Sequence, residues 1–409
     1  MKPQVSERGS AMPASPIRAL MPLADGARKR GVRVLQLNIG QPDLETPPAM
    51  RGRLAQAPSI FAYSPSQGTP ECLATLGRYY GRQGLALAAD EIVATTGGSE
   101  AILFALMACA GVGDEALVVE PFYTNYLAFA AMAGVKLVAL RARGEDGFHL
   151  PPIGEWEAAT TPRTRLVLLC NPNNPTGTVY TRAEVEAVAA FCREHGLFLV
   201  SDEVYREFVY DGRSCTSALS LPGCEDNAVL VDSLSKRYSA CGIRLGCLAT
   251  HNRDVYGAAL RMAQGRLSPP GLAQIVALGI DELGPEYAQA VVREYGARRD
   301  LLYEGLTRIP GVFLRKPEGA FYFVVRLPVE DGRDFAAWLL ESYQLDGTTV
   351  MVAPADGFYA TAGLGRDEVR IAYVLKAQDL ELAVRVLAHA IPAYQALRIG
   401  RLAGAHARG

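Results

Sequence analysis

Lys236 stands in Asp232-Ser233-Leu234-Ser235-Lys236, just past an apolar run and ahead of Gly242-Ile243-Arg244-Leu245-Gly246. An amine becomes a nucleophile only after losing its proton, and desolvation at a strand end beside Arg237 and Arg244 favours that loss. On this segment alone, a surface lysine between two elements is the more ordinary reading. Three other segments change it, because each sets polar side chains directly after apolar residues, where open parallel sheets gather their ligands. Asn171-Pro172-Asn173-Asn174-Pro175-Thr176-Gly177 follows one apolar run, and Ser201-Asp202-Glu203-Val204-Tyr205 follows another. Thr95-Thr96-Gly97-Gly98-Ser99-Glu100 opens a helix whose free N–H groups form an anion site. Together they bring a lysine, a carboxylate, a phenol, an amide and an anion cradle to one sheet edge. By itself Asp202 reads equally as a helix N-cap, and Arg370, in Glu368-Val369-Arg370-Ile371-Ala372, as the exposed side of a strand.

The elements that must position these residues show in the hydrophobic pattern. Short apolar strands at 116–119, 136–140, 166–170, 197–201, 228–231 and 245–249 alternate with helical stretches at 71–82, 99–110, 124–133 and 182–195. That pattern predicts a mostly parallel sheet covered on both faces, an α/β fold. Ahead of it, 17–30 reads as a helix and 34–38 as a strand. Beyond about residue 285 the pattern becomes α+β, with a long helix over 287–309, strands near 321–325 and 369–373, and helices at 334–343 and 377–390. The expected organisation is a large domain over 45–285 and a small one made from 286–409 together with the arm, helix and strand of 1–44. The Ala/Gly/Arg-rich segment 400–409 is expected to fray.

Composition narrows the function classes. The 409 residues carry 41 Lys+Arg and 43 Asp+Glu, a net charge of −2, so no global field attracts nucleic acid or an anionic membrane. No window approaches the ~18 apolar residues that cross a bilayer. Eight cysteines without a CxxC pair, mostly inside apolar runs, read as reduced thiols of a cytoplasmic protein and argue against disulfides and against a zinc site. Only six of the cations are lysines.

A lysine for a Schiff base, a carboxylate for a pyridinium nitrogen and a phosphate cup are what pyridoxal 5′-phosphate requires. Ser233-Leu234-Ser235-Lys236 through Arg244-Leu245-Gly246, with Asn174-Pro175-Thr176-Gly177 and Asp202-Glu203-Val204-Tyr205 upstream in that order, resembles the class I/II aminotransferases of the fold type I pyridoxal-phosphate superfamily. The resemblance runs from Asn38-Ile39-Gly40-Gln41-Pro42-Asp43 to Arg370. It implies a large domain with a mostly parallel seven-stranded sheet sandwiched by helices, plus a smaller α+β domain. It also implies a ping-pong exchange between an L-amino acid and a 2-oxo acid.

Carried over residue by residue, the resemblance makes Lys236 the aldimine lysine and the proton carrier, and Asp202 the partner of the pyridine nitrogen. Tyr205 and Asn174 become donors to the cofactor's 3′-oxygen. Gly97, Gly98, Ser99, Ser233 and Arg244 form the phosphate cup, and Tyr123 stacks on the cofactor ring. Arg370 clamps the substrate α-carboxylate and Gly40 closes over it. Tyr63 reaches the phosphate of a neighbouring subunit, which implies a homodimer with shared sites. One departure stands out: bacterial aspartate aminotransferases of this kind tend to have a lysine after the Gly-Gly of the cup, where this chain has Ser99. A hydroxyl supplies no full charge, which argues against aspartate or glutamate as the preferred donor unless another arginine, such as Arg261 or Arg266, takes over; the sequence leaves both readings open. The same constellation also serves pyridoxal-phosphate lyases and, less readily, a non-catalytic cofactor-binding sensor; no basic helix-turn-helix precedes the domain to favour the last.

Overall fold

The computed structural model describes residues 3–406. Its strands are, in chain order, β1 Arg33–Gln36, β2 Ile92–Thr95, β3 Glu115–Glu120, β4 Lys136–Arg141, β5 Thr164–Cys170, β6 Phe198–Asp202, β7 Ala228–Ser233, β8 Gly246–Ala249, β9 Phe313–Leu314, β10 Tyr322–Arg326, β11 Thr348–Met351, β12 Ala353–Pro354 and β13 Glu368–Ala372. The large sheet has seven strands in the order β2-β8-β7-β6-β5-β3-β4. All its pairings are parallel except those of β8, which runs antiparallel to both β2 and β7. Because β2 and β7 both oppose β8, they share a direction with each other. Thr95 and Ser233 therefore both pair with Gly246, which brings the Gly97-Gly98-Ser99 segment after β2 beside the Lys236 segment after β7.

Alternate residues of the central strands feed different cores. Leu117, Val119, Val167, Leu169 and Leu199 join one buried cluster, while Ala116, Val118, Leu166, Leu168 and Val200 join another. A period of two with both faces covered is why these strands read as continuous apolar runs. A third core unites Leu35 and Leu37 with the carboxy-terminal elements and with Tyr205, Phe208 and Tyr210. There β1 pairs in parallel with β11, beside the antiparallel sheet β12-β13-β10-β9.

Several boundaries differ from the sequence reading, each for a physical reason. The helix expected over 17–30 spans only Met21–Lys29. Had it begun at residue 17, Pro22 would lie in its interior, lacking an N–H and clashing with the preceding turn; at the observed start it sits in the tolerated first turn. Pro16–Leu20 instead forms turns, with the Arg18 and Ala19 N–H groups donating to the Ser15 carbonyl at 3.1 Å. The helix Arg253–Arg266, capped by Asn252 through bonds from the Asp254 and Val255 N–H groups, escaped notice, as did β2 and β11, which are only four residues long each. The amino-terminal arm is mostly irregular but contains a short helix, Glu7–Ser10. The last helix, Ala377–His406, continues into the segment expected to fray, and residues 407–409 lie outside those described.

Candidate active site

A cavity of about 560 Å³ opens at the carboxyl ends of the parallel strands, a volume suited to a small cofactor with substrate. Gly40, Gly98, Ser99, Tyr123, Asn174, Asp202, Tyr205, Ser233, Lys236, Arg244 and Arg370 all line it. Of the remaining predicted residues, Gly97 sits one position before the lining, whereas Tyr63 is 80% exposed and outside it.

Asp202 ends β6 with its carboxylate fully enclosed. The Tyr126 hydroxyl donates to Oδ2 at 2.5 Å and the Val204 N–H to Oδ1 at 3.2 Å. Burial pushes its pKa up to about 6 against the pull of those two hydrogen bonds, with Asp232 and Glu203 adding to the rise. Among the described residues no cation forms an ion pair with this buried carboxylate, the environment a pyridinium N–H would complete. Lys236 follows β7, and its Nζ donates to the Gly40 carbonyl at 2.8 Å. Desolvation lowers its pKa below the ordinary lysine range; Arg370 and Arg244 add to this, Cys241 and Asp202 oppose it. Next to it, buried Arg237 pairs with Asp232 and donates to the Tyr79 hydroxyl, and Tyr80 donates to Asp232 at 2.7 Å, anchoring the lysine loop on the core.

The segment expected to form the phosphate cup depends on glycines at two close approaches. Gly97 opens the helix Gly97–Cys109 with φ +71°, and a Cβ there would lie 2.5 Å from Arg244 Nη2. A Cβ on Gly246 would meet the Asp232 carbonyl oxygen at 2.5 Å and Gly98 N at 2.7 Å, so only glycine lets β8 pass beneath the helix start. Ser233 Oγ donates to Ser235 Oγ at 2.8 Å. The helix N-terminus, two hydroxyls and the Arg244 fork supply the donors a phosphate needs.

Arg370 on β13 is 1% exposed. Its Nη1 donates to Asn174 Oδ1 at 3.0 Å and its Nη2 to the Asn38 carbonyl at 2.6 Å, while Nε has no partner and no carboxylate neutralises the group. A buried guanidinium so placed is a receptor for a carboxylate. Its plane lies over the Tyr322 ring at 4.3 Å and the Phe358 ring at 4.9 Å.

Tyr322 was missed by sequence reasoning. Its hydroxyl lies 2.8 Å from that of Tyr205, and a Cβ on Gly40 would fall 1.8 Å from it. In Phe321-Tyr322-Phe323 nothing distinguishes it from core packing. Ser235 and Tyr126 carried at most the weak signal of neighbouring a motif, and Arg18, which also lines the cavity, carried none. Arg261 and Arg266, examples of an arginine that could replace the lysine absent at position 99, do not line it; Arg266 instead donates to the Ser66 and Ala94 carbonyls and pairs with Glu100 at 3.5 Å.

The unpaired carboxylate, the desolvated lysine and the phosphate cup fit pyridoxal phosphate, and comparison with known proteins agrees. The sequence profile of the family described as Aminotransferase class I and II matches residues 32–387. An aspartate/prephenate aminotransferase of Thermus thermophilus is 31% identical over 395 residues, spanning 95% of this chain and 98% of that one. An arginine–pyruvate transaminase of Pseudomonas aeruginosa is 32% identical over 375 residues, spanning 88% and 90%. Among solved structures, an alanine aminotransferase from Pyrococcus furiosus superposes with a TM-score of 0.86 at 28% identity, covering 95% of this chain and all of that one. The chain belongs to the class I and II aminotransferases and is an enzyme that uses pyridoxal 5′-phosphate.

Proposed function

We propose that the protein transfers an amino group from an L-amino acid to a 2-oxo acid in two half-reactions, with Lys236 carrying the cofactor and Arg370 holding the substrate α-carboxylate. One observation carries this reading: a buried carboxylate short of a cation and a buried guanidinium short of an anion line the same cavity as the desolvated lysine. Bound pyridoxal phosphate supplies an aldehyde that condenses with amines and a ring that accepts the electrons released at the substrate Cα. Asp202 keeps a proton on the ring nitrogen, and Tyr205 and Asn174 donate toward the 3′-oxygen. Gly97, Gly98, Ser99, Ser233 and Arg244 hold the phosphate, and Tyr123 flanks the ring. With the cofactor bound, the Lys236 amine would be placed to take a proton from the substrate Cα and return it. Gly40, whose carbonyl already accepts from Lys236, closes the substrate side.

Incubation with an amino acid and no acceptor tests this. We expect one equivalent of 2-oxo acid per site and complete conversion of the cofactor to its amine form; continuous release of ammonia would instead establish lyase chemistry.

The same reading makes the enzyme a homodimer with shared sites. Ile60, Phe61 and Tyr63 are 76%, 70% and 80% exposed in one segment, with exposed Leu54, Leu267 and Leu272 adding apolar surface, the kind of surface a partner covers. Mixed dimers provide the measurement: Tyr63→Ala and Lys236→Ala subunits, each deficient alone, should after random exchange regain about one intact site in four if sites are shared. No recovery would show that each subunit works alone. We assign 1–44 and 286–409 to a small domain and 45–285 to a large one, a division supported by the separate apolar cores. The eight free thiols, six of them buried, support residence in the reducing cytoplasm.

A further inference from the structure

The cavity wall holds four cations, Arg18, Lys236, Arg244 and Arg370, and among the described residues a single carboxylate, Asp202. Three of the cations have tasks in the proposed reaction: Lys236 the carbonyl carbon, Arg244 the phosphate, Arg370 the α-carboxylate. Arg18 has none.

Its position is set by the fold rather than by a loose arm. Asn38 Nδ2 donates to the Ile17 carbonyl at 2.9 Å, and the Asn38 carbonyl accepts from Arg370 at 2.6 Å, so one residue ties the Arg18 segment to the α-carboxylate receptor. Pro16 packs against Gly357 so closely that a Cβ there would come within 2.5 Å of its ring. Ile17 packs on Ala353, Ala355 and Phe358, and Phe358 also lies under Arg370. Both guanidinium-bearing segments thus share one platform. Burial raises the Tyr123 pKa, and Arg370, Arg18 and Arg244 each pull against that rise, so the Arg18 charge is felt at the same wall. Because the helix begins only at Met21, with Pro22 in its first turn, Ser15, Ile17 and Arg18 lie in a turn that lines the cavity.

We propose that Arg18 is the specificity residue for the far end of the substrate, binding a second carboxylate on a dicarboxylic amino acid or 2-oxo acid. It does from the amino-terminal segment what Ser99, with no charge, does not do from the cup. A guanidinium suits the task because its fork gives two parallel hydrogen bonds to one carboxylate. The assignment presupposes the roles of Lys236 and Arg370 given above.

Single-turnover conversion of the cofactor by glutamate, aspartate, alanine and leucine, followed by absorbance in wild type and in Arg18→Ala, Arg18→Lys and Arg18→Glu, tests it. Arg18→Ala should lower the rate constant ratio kcat/KM for glutamate and aspartate by about 10–100-fold, the loss of a charge-assisted hydrogen-bond pair, and leave alanine and leucine little changed. Arg18→Lys should recover part of the loss, and Arg18→Glu should turn the preference toward arginine and lysine. Equal loss for all four substrates would show a structural role and overturn the proposal, as would no loss for any, or a wild type that prefers alanine to both dicarboxylic acids. If wild type converts with none of them, the reading of Lys236 fails instead. Arg18 is exposed, so the variants should keep the wild-type melting temperature.

Discussion

Lys236→Ala should give a colourless protein whose transamination falls by at least ~10²–10⁴-fold, the range general acid–base catalysis supplies, with loss of the covalent link added to it. Absorbance, borohydride reduction and half-reaction kinetics measure the two losses separately. Lys236→Arg should be as inactive, because a guanidinium keeps its proton at every accessible pH. Burial disfavours the charged amine, so the lowered Lys236 pKa means that the folded chain binds fewer protons than the unfolded one between that pKa and the ordinary lysine value. Stability contributed by this group is therefore smallest at low pH and recovers as pH rises through that window. Removing the amine relieves the penalty, and the cofactor-free variant should melt at or above the wild-type temperature at neutral pH. Capture of pyridoxal phosphate by the cofactor-free wild type should accelerate with pH and level off below the ordinary lysine range. A variant that melts much lower would mean that Lys236 supports the fold rather than the chemistry.

Asp202→Asn should keep its colour yet lose about 10²–10³-fold in the half-reaction, the scale seen when one preorganised electrostatic contact is removed. The phosphate cup and Lys236 remain, so cofactor still binds; an amide cannot hold a proton on the ring nitrogen as a carboxylate does. The pKa of about 6 sets the sign of a second effect. An acid whose pKa is raised by folding stabilises the native state at low pH, and this contribution disappears as pH rises from about 4 through 6. At pH 7 the cofactor-free wild type carries an uncompensated buried charge that the variant lacks. The variant should then melt higher at pH 7, with the gap closing toward pH 5, while added pyridoxal phosphate should raise the melting temperature more in wild type. Equal half-reaction rates in the two proteins would remove Asp202 from the catalytic machinery.

Much of the site was legible because polar residues interrupt apolar runs where strands end. Asn174 follows β5, Asp202 and Ser233 are the last residues of β6 and β7, and Lys236 and Arg244 lie in the segment between β7 and β8. The continuous apolar strands themselves announced a sheet buried on both sides. What stayed hidden were residues whose significance comes from a distant neighbour. Tyr322 matters because its hydroxyl meets Tyr205, 117 positions earlier. The helix beginning at Met21 was extended to Ile17 because the apolar spacing runs through Pro22 without a break, although the backbone does not.

The sequence by itself determined the fold class, the family and the cofactor, because burial pattern and the order of short motifs are local properties of a chain. That Arg18, and not Arg261 or Arg266, joins Lys236, Arg244 and Arg370 in the cavity was decided only by the tertiary structure. Arg261 and Arg266 stand nearer in sequence to Lys236 than Arg18 does, yet they fall outside the lining, and Arg266 is already bonded to Ser66, Ala94 and Glu100. Arg18 reaches the cavity because Asn38 joins its segment to Arg370 across more than 300 residues of chain, a proximity created by packing and invisible in spacing.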